Sequence, residues 1–224
     1  GAPAAPGPRA LRSRLSDARA CAAAMVLEAT MVVLDTSEFM RNGDYPPSRI
    51  EAQQDALNLV GGAKTQSNPE NSVGVLTCGG KGVEVLVTLT QDIGRILGCA
   101  THVKPGGKPH LMNGIQVAQL ALKHRQNKNQ RQRIVCFVGS PVEEDEAALV
   151  KLGKKLKKNA VAVDIVNFGE EAENASKLEA FVSAVNNDDN SHLITVPAGP
   201  HVLSDILVTS PIISSNEDGG GGGG

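Results

Sequence analysis

The feature that most constrains the fold of this chain is the alternation of short apolar segments with longer amphipathic ones. Residues 31–34, 134–138 and 161–168 are short and mainly apolar, which is typical of strands that are covered on both faces. Residues 48–63 and 111–122 instead repeat apolar positions with the 3.6-residue period of a helix. The pattern predicts an α/β fold with a doubly wound, mostly parallel six-stranded sheet and helices on both faces.

One strand of this sheet is predicted to be antiparallel. Residues 73–76 and 83–89 read as strands on either side of the turn Gly79-Gly80-Lys81-Gly82, so we expect a hairpin at a sheet edge. The remaining elements are a strand at 193–196 and helices at 92–103, 143–159, 177–185 and 202–207.

Composition limits the classes of partner. The net charge is −2, so no overall attraction to nucleic acid or to an anionic membrane is expected. No apolar run approaches the roughly 18 residues that cross a bilayer. The four cysteines form no CxxC pair and are expected to be reduced thiols of an intracellular protein.

The chain is expected to have one folded domain, at residues 25–213, between two tails. Residues 1–24 are rich in Ala, Pro and Arg and are interpreted as a disordered N-terminal extension, with an organellar targeting signal as the alternative. Residues 214–224 combine acidic residues with six glycines, a composition typical of a linker.

Polar residues gather where the strands are predicted to end, the edge at which doubly wound sheets bind ligands. They are Asp35-Thr36-Ser37-Glu38-Phe39, the loop 106–110 and Gly139-Ser140-Pro141. This layout resembles the von Willebrand factor A family, whose metal-ion-dependent adhesion site uses an Asp-x-Ser-x-Ser motif, a loop Thr and a further Asp.

Only part of that metal motif is present. Asp35 and Ser37 match the first two ligands, but Phe39 stands in place of the second Ser. No Thr or Ser lies between positions 106 and 114, and Gly139-Ser140 takes the place of the second Asp. Because Mg²⁺ needs near-octahedral oxygen coordination, we expect no bound metal and no cofactor, and we expect Asp35 to bond the amides of its own loop.

Three stretches carry a closer resemblance within this family. They are NGDYPPSR at 42–49, KTQSNPENSVGVLT at 64–77 and LALKHRQNKNQRQRIVCFVGSP at 120–141, supported by DIVNFGEE at 164–171. They resemble the ubiquitin-receptor family of the proteasome regulatory particle. The resemblance implies a non-catalytic scaffold in the cytoplasm and nucleus that docks between proteasome lid and base subunits. It also implies that polyubiquitin binds through helical motifs downstream, which residues 1–224 lack. The alternative is a metal-dependent ligand-binding domain outside the proteasome.

Two groups of residues are candidates for contacting a protein partner. The first is the loop after the first strand, with Asp35, Ser37, Glu38, Asn42 and Asp44. The second is the basic segment 123–133, with Lys123, Arg125, Lys128, Arg131 and Arg133 and no acidic residue.

The basic segment leaves three interpretations open. It could be a solvated helix end and loop, a surface for an acidic patch on a neighbouring subunit, or a phosphate-binding segment. No aromatic residues interleave with the basic ones for base stacking, so a nucleic-acid partner is not expected.

No pattern indicates an enzyme. Ser37 has no His base tied to it by a motif, and the chain has neither a GxSxG elbow nor an HExxH pair. Gly79–Gly80 and the residues after it lie in a hairpin rather than in the strand-to-helix turn of a phosphate loop. A related domain of a transcription and repair factor would be followed by zinc-ligand cysteines, and none occur in residues 137–224.

Overall fold

The computed structural model describes residues 27–199 and 202–214, and within them a six-stranded sheet. The proposed N-terminal extension at 1–24, and residues 215–224 of the proposed linker, lie outside the described residues. The strands of the sheet are β1 (Glu28–Leu34), β2 (Ser72–Thr77), β3 (Glu84–Thr90), β4 (Arg131–Val138), β5 (Val161–Phe168) and β6 (Leu193–Val196).

The order of the strands across the sheet is β3-β2-β1-β4-β5-β6. Every neighbouring pair is parallel except β2 and β3, so the predicted antiparallel hairpin strand at one edge is confirmed. The chain winds outward from the central β1 in both directions, and every residue of β1 and β5 is buried, as expected of strands covered on both faces.

Seven helices cover the two faces of the sheet in the described part of the chain. They are α1 (Arg49–Ser67), α2 (Ile93–Cys99), α3 (Leu111–Lys123), α4 (Glu146–Lys158), α5 (Glu171–Val185), α6 (Leu203–Val208) and α7 (Pro211–Ser214). One apolar core lies under α3, α4 and α5, and the other lies under α1, α2, α6 and α7. None of these helices is both long and apolar enough to cross a bilayer.

Two helix boundaries differ from the predictions, and polar side chains near both helix starts bond to other elements. The helix predicted at 143–159 begins at Glu146, and the half-buried Glu144 before it accepts a hydrogen bond from the backbone N–H of Met112 at 3.0 Å. The helix predicted at 177–185 begins earlier, at Glu171. Its first turns are anchored by Asn174, which is fully buried and accepts from the N–H of Val142 at 2.9 Å. An apolar pattern cannot reveal such polar anchors.

The turn after β2 has a second role that the sequence did not predict. Gly79–Gly80 pairs with Lys108–Pro109 in a two-stranded antiparallel ribbon. At Gly79 an added Cβ would lie 2.4 Å from the backbone carbon of Thr36, so only glycine permits this close approach. The ribbon therefore holds the loop before α3 against the loop after β1.

A buried ionic network ties the amino ends of the strands together. Glu28 accepts from Lys64 Nζ at 2.9 Å and from Arg133 Nε at 2.8 Å. Arg133 also pairs with Asp164, whose other oxygen lies 2.9 Å from His192 Nδ1. The prediction that Arg133 belongs to an exposed basic surface is corrected here, because its guanidinium is enclosed between two carboxylates.

The network makes the stability of the domain depend on pH. Burial alone would raise the pKa of Glu28, but the charges of Arg133 and Lys64 outweigh it and lower the pKa from 4.5 to about 2. A carboxylate with a lowered pKa contributes stability that is present above its unfolded pKa and is lost as pH falls toward its folded pKa. For Glu28 that window runs from about pH 4.5 to about pH 2.

We therefore predict that Glu28→Gln lowers the free energy of unfolding at pH 7 and removes part of its acid dependence. The pKa shift corresponds to a contribution on the order of 3 kcal/mol, measurable by urea unfolding at a series of pH values. The exposed Glu70 provides the matched control, since Glu70→Gln removes the same charge. Parallel stability–pH curves for the wild type and Glu28→Gln would contradict the prediction.

Candidate functional site

The loops after β1 and β4 meet at the carboxyl edge of the sheet around Asp35. Because β1 and β4 are parallel neighbours, the residues that follow them are adjacent. Asp35 is only 2% exposed. Its Oδ1 accepts from the N–H of Ser37 at 2.8 Å, and its Oδ2 accepts from the N–H of Gly139 at 3.1 Å and the hydroxyl of Ser140 at 2.6 Å. One carboxylate thus joins the two loops.

Gln53 on α1 fixes the backbone of Asp35 from the other side. The Gln53 side chain is fully buried. It accepts from the Asp35 N–H at 3.0 Å and donates to the Asp35 carbonyl at 2.9 Å. Sequence reasoning missed Gln53, and the available signal was an amide side chain within the buried stripe of an amphipathic helix.

Asp44 was predicted to face a partner, but the structure places its carboxylate on Arg49. The two side chains form a bidentate pair at 2.8 and 2.6 Å, and the hydrogen bond from Arg49 is the main reason why the pKa of Asp44 is lowered. Arg49 is 2% exposed, and it also donates to the carbonyl of Gly139 at 2.6 Å. Asp44 is therefore part of the hydrogen-bonded framework of this edge. Arg49, which sequence reasoning missed, connects Asp44 to the loop after β4.

The surface above this framework is a short 3₁₀ helix, Glu38–Arg41. We call the exposed side chains of Glu38, Phe39, Arg41 and Asn42 the edge patch. Phe39 is 42% exposed. Arg41 pairs with Glu38 at 2.6 Å and donates to the carbonyl of Pro105 at 2.6 Å. Of the predicted loop residues, Glu38 and Asn42 are thus on the surface, whereas Asp35 and Ser37 lie beneath it.

The residues present do not fit the metal that the fold family implies. The Ser37 hydroxyl is buried without a hydrogen-bond partner among the described residues, so it is free to coordinate a cation, while Asp35 already accepts three hydrogen bonds. Gly139-Ser140 takes the place of the family's second Asp. A Cβ added at Gly139 would lie 2.5 Å from Met40 Sδ, and the hydroxyl of Ser140 already donates to Asp35. Among residues 27–199 and 202–214, no cluster of three His, Cys, Asp or Glu side chains could hold a metal.

The basic segment lies at the opposite ends of the strands, where they begin. It precedes and begins β4, whose eight residues separate it from the edge patch by about 25 Å. Arg125 donates to the carbonyls of Leu122, Lys128 and Gln130, and Lys128 donates to the carbonyl of Lys123.

These bonds fold the basic segment back on itself. Lys123 and Arg131 remain exposed, without an ion pair to any described residue. Arg133 is withdrawn into the buried network. The structure therefore does not bring the two groups of candidate residues together.

Comparisons with known proteins agree with this geometry. The family model described as von Willebrand factor type A domain matches residues 30–141. The crystal structure of the SpRpn10 VWA domain superposes with a TM-score of 0.79 at 49% identity, over 84% of this chain and 97% of that one. BatB from Bacteroides thetaiotaomicron has the same fold, with a TM-score of 0.67 at 14% identity over 84% of this chain and 98% of that one.

Several similar sequences are described as regulatory subunits of the 26S proteasome. The chain is 58% identical over 194 residues to the 26S proteasome non-ATPase regulatory subunit 4 homolog of Arabidopsis thaliana, covering 86% of this chain and 50% of the relative. It is 50% identical over 188 residues to the 26S proteasome regulatory subunit rpn10 of Schizosaccharomyces pombe, covering 84% of this chain and 77% of the relative. The chain spans about half the length of several such relatives. It therefore belongs to the von Willebrand factor type A family and, within it, to the group formed by rpn10 and non-ATPase subunit 4 of the 26S proteasome.

Proposed function

We propose that this domain is a non-catalytic docking module that holds a ubiquitin-receptor subunit between the lid and base of the proteasome regulatory particle. The observation that carries the proposal is the edge patch, which exposes the ring of Phe39. The carboxylates beneath it, Asp35 and Asp44, are engaged in hydrogen bonds within the domain. Similar proteins are named as 26S proteasome subunits, which supports a role in ubiquitin-dependent degradation in the cytoplasm and nucleus. Polyubiquitin would bind through helical motifs outside residues 27–214.

The rigidity of the edge patch suits it to docking. Asp35 links the loops after β1 and β4, Gln53 fixes the Asp35 backbone, and Arg49 links Asp44 to the β4 loop. A surface held in place before binding has little conformational entropy to lose when a partner arrives. An exposed aromatic ring beside charged side chains is also typical of the residues that dominate protein interfaces.

The chemistry of the site favours binding over catalysis. The Ser37 hydroxyl has no hydrogen-bond partner among the residues that the structure describes, so no base within them activates it as a nucleophile. Cys78 and Cys136 are buried free thiols, and burial raises the pKa of each well above its ordinary value. Thiols that stay protonated are poor nucleophiles.

A metal-dependent ligand-binding domain is the second candidate. The observation in its favour is the free hydroxyl of Ser37 next to the carboxylate of Asp35. One hydroxyl and a carboxylate with three hydrogen-bond donors provide too few oxygens for Mg²⁺, so docking through protein contacts is the better-supported function.

We predict that Phe39→Ala weakens association with regulatory particles that lack this subunit by about tenfold or more, the range of an interface hot spot. Quantitative pull-down with purified particles measures this loss. Leu97 on α2 is the matched control, because it is 41% exposed against 42% for Phe39. Equal association of Phe39→Ala, Leu97→Ala and the wild type would show that the edge patch is not the docking surface.

Asp35→Ala is predicted to lower both stability and association. It leaves the N–H groups of Ser37 and Gly139 and the hydroxyl of Ser140 without their acceptor. The expected loss is about 1–3 kcal/mol of unfolding free energy, measured by urea denaturation. Association is then compared at a temperature where the variant is fully folded. Glu38→Ala, which removes an exposed carboxylate of the same loop, is expected to leave stability unchanged, and full association of folded Asp35→Ala would refute the proposed role of Asp35.

We also predict that millimolar Mg²⁺ or Mn²⁺ leaves the melting temperature of the domain unchanged relative to EDTA. Ligand bound only to the native state at 100 times its Kd would add about 2.7 kcal/mol, which a thermal melt detects readily. A saturable rise in melting temperature that disappears in Ser37→Ala would instead support the metal-dependent alternative.

A further inference from the structure

A groove with a basic rim runs between the exposed surfaces of α3 and α4, on the helical face of the domain. It consists of two adjoining depressions of about 740 and 850 Å³ that share Gln116 and Lys155 as lining residues. Neither depression is lined by an Asp or a Glu. The groove is separate from the edge patch.

Four lysines of α4 line one of these depressions. Lys151, Lys154, Lys155 and Lys158 are spaced by three and four residues, which places them on one stripe of the helix. All four are exposed, and none forms an ion pair with a described residue. Lys123 at the end of α3 and Arg125 just after it line the other depression and bring two further positive charges to the groove.

Interaction with the helix dipole explains why some of these lysines are favourable, but not all of them. The helix dipole favours cations in the last turn, where Lys155 and Lys158 lie. It does not account for Lys151 near the middle of the helix. Lysines three and four residues apart repel one another, so the folded domain carries an unfavourable arrangement that a negatively charged ligand would relieve.

Aliphatic side chains line the groove together with amides such as Gln119 and Gln132. Val117 and Leu120 of α3 and Val150 of α4 line the two depressions. Leu120 is 56% exposed, the largest exposed fraction among the large apolar side chains of the described residues. No aromatic ring lines the groove, so it offers nucleic acid bases no stacking surface.

We propose that this groove binds an acidic amphipathic helix of a protein partner. Its apolar side chains would cover Leu120 and Val150, and its carboxylates would reach the lysine stripe. The α4 helix has 13 residues and is about 20 Å long, so it can align with roughly three to four turns of a partner helix. The groove does not overlap the edge patch, and the proposal does not depend on where the domain docks.

The test uses the full chain and a fluorescein-labelled helical peptide of about 18 residues, with Leu on one face and Glu on the other. Fluorescence anisotropy is expected to show binding that weakens as salt rises from about 50 to 300 mM. Lys151→Glu/Lys155→Glu is expected to weaken binding by tenfold or more, and Leu120→Ser by several-fold. Thermal melts of both variants establish that they are folded.

Matched controls separate a specific groove from general charge. Arg95→Glu/Lys81→Glu makes the same change in net charge at exposed positions on α2 and in the β2–β3 turn, and it is expected to retain binding. A peptide of the same composition with a scrambled sequence is expected to bind at least tenfold more weakly. Equal losses in the two double variants, equal binding of the scrambled peptide, absence of binding, or tighter binding of a single-stranded RNA of equal charge would each overturn the proposal.

Discussion

The architecture of the carboxyl edge depends on the three hydrogen bonds that the buried carboxylate of Asp35 accepts. Two of them, from the N–H of Gly139 and the hydroxyl of Ser140, connect the loop after β1 with the loop after β4 about a hundred residues away in the chain. The third, from the N–H of Ser37, stays within the first loop. Charge-assisted hydrogen bonds of this kind are stronger than neutral ones, and a buried carboxylate without them would be costly. The position of the 3₁₀ helix that carries Phe39 follows from this arrangement.

At the edge where the fold family binds a metal ion, the carboxylate of Asp35 accepts hydrogen bonds from the protein instead. Metal coordination would require Asp35 to leave its donors and a second acidic side chain to approach. Of the two residues at the place of that acidic side chain, Gly139 would place an added Cβ only 2.5 Å from the sulfur of Met40, and Ser140 donates its hydroxyl to Asp35. Arg49 brings a positive charge to the Gly139 carbonyl, which further disfavours a cation. Protein hydrogen bonds thus perform the cross-linking that an ion would otherwise provide.

The sequence predicted the sheet, its antiparallel strand and most helices, because apolar periodicity depends on neighbours along the chain. It also predicted that Asp35 and Ser37 lie at the carboxyl edge, since a strand ends just before them. It failed where a polar residue pairs with another side chain. Asp44 and Arg133 both read as exposed charges, but Asp44 pairs with Arg49, five residues along the chain, and Arg133 pairs with Glu28, 105 residues away. Asn174 was missed for the same reason, because buried amides leave no periodic pattern.

Buried polar groups at both edges of the sheet explain how the domain can present fixed surfaces. At the amino edge, Arg133 joins β1 to β5 through Glu28 and Asp164, and at the carboxyl edge Asp35 joins β1 to the loop after β4. Such groups are stabilising only while every partner is in place, so each network strongly disfavours alternative arrangements of its edge. The backbone at both ends of the strands is therefore held in one arrangement. A partner that contacts two of these surfaces at once would consequently bind a geometry that exists before it arrives.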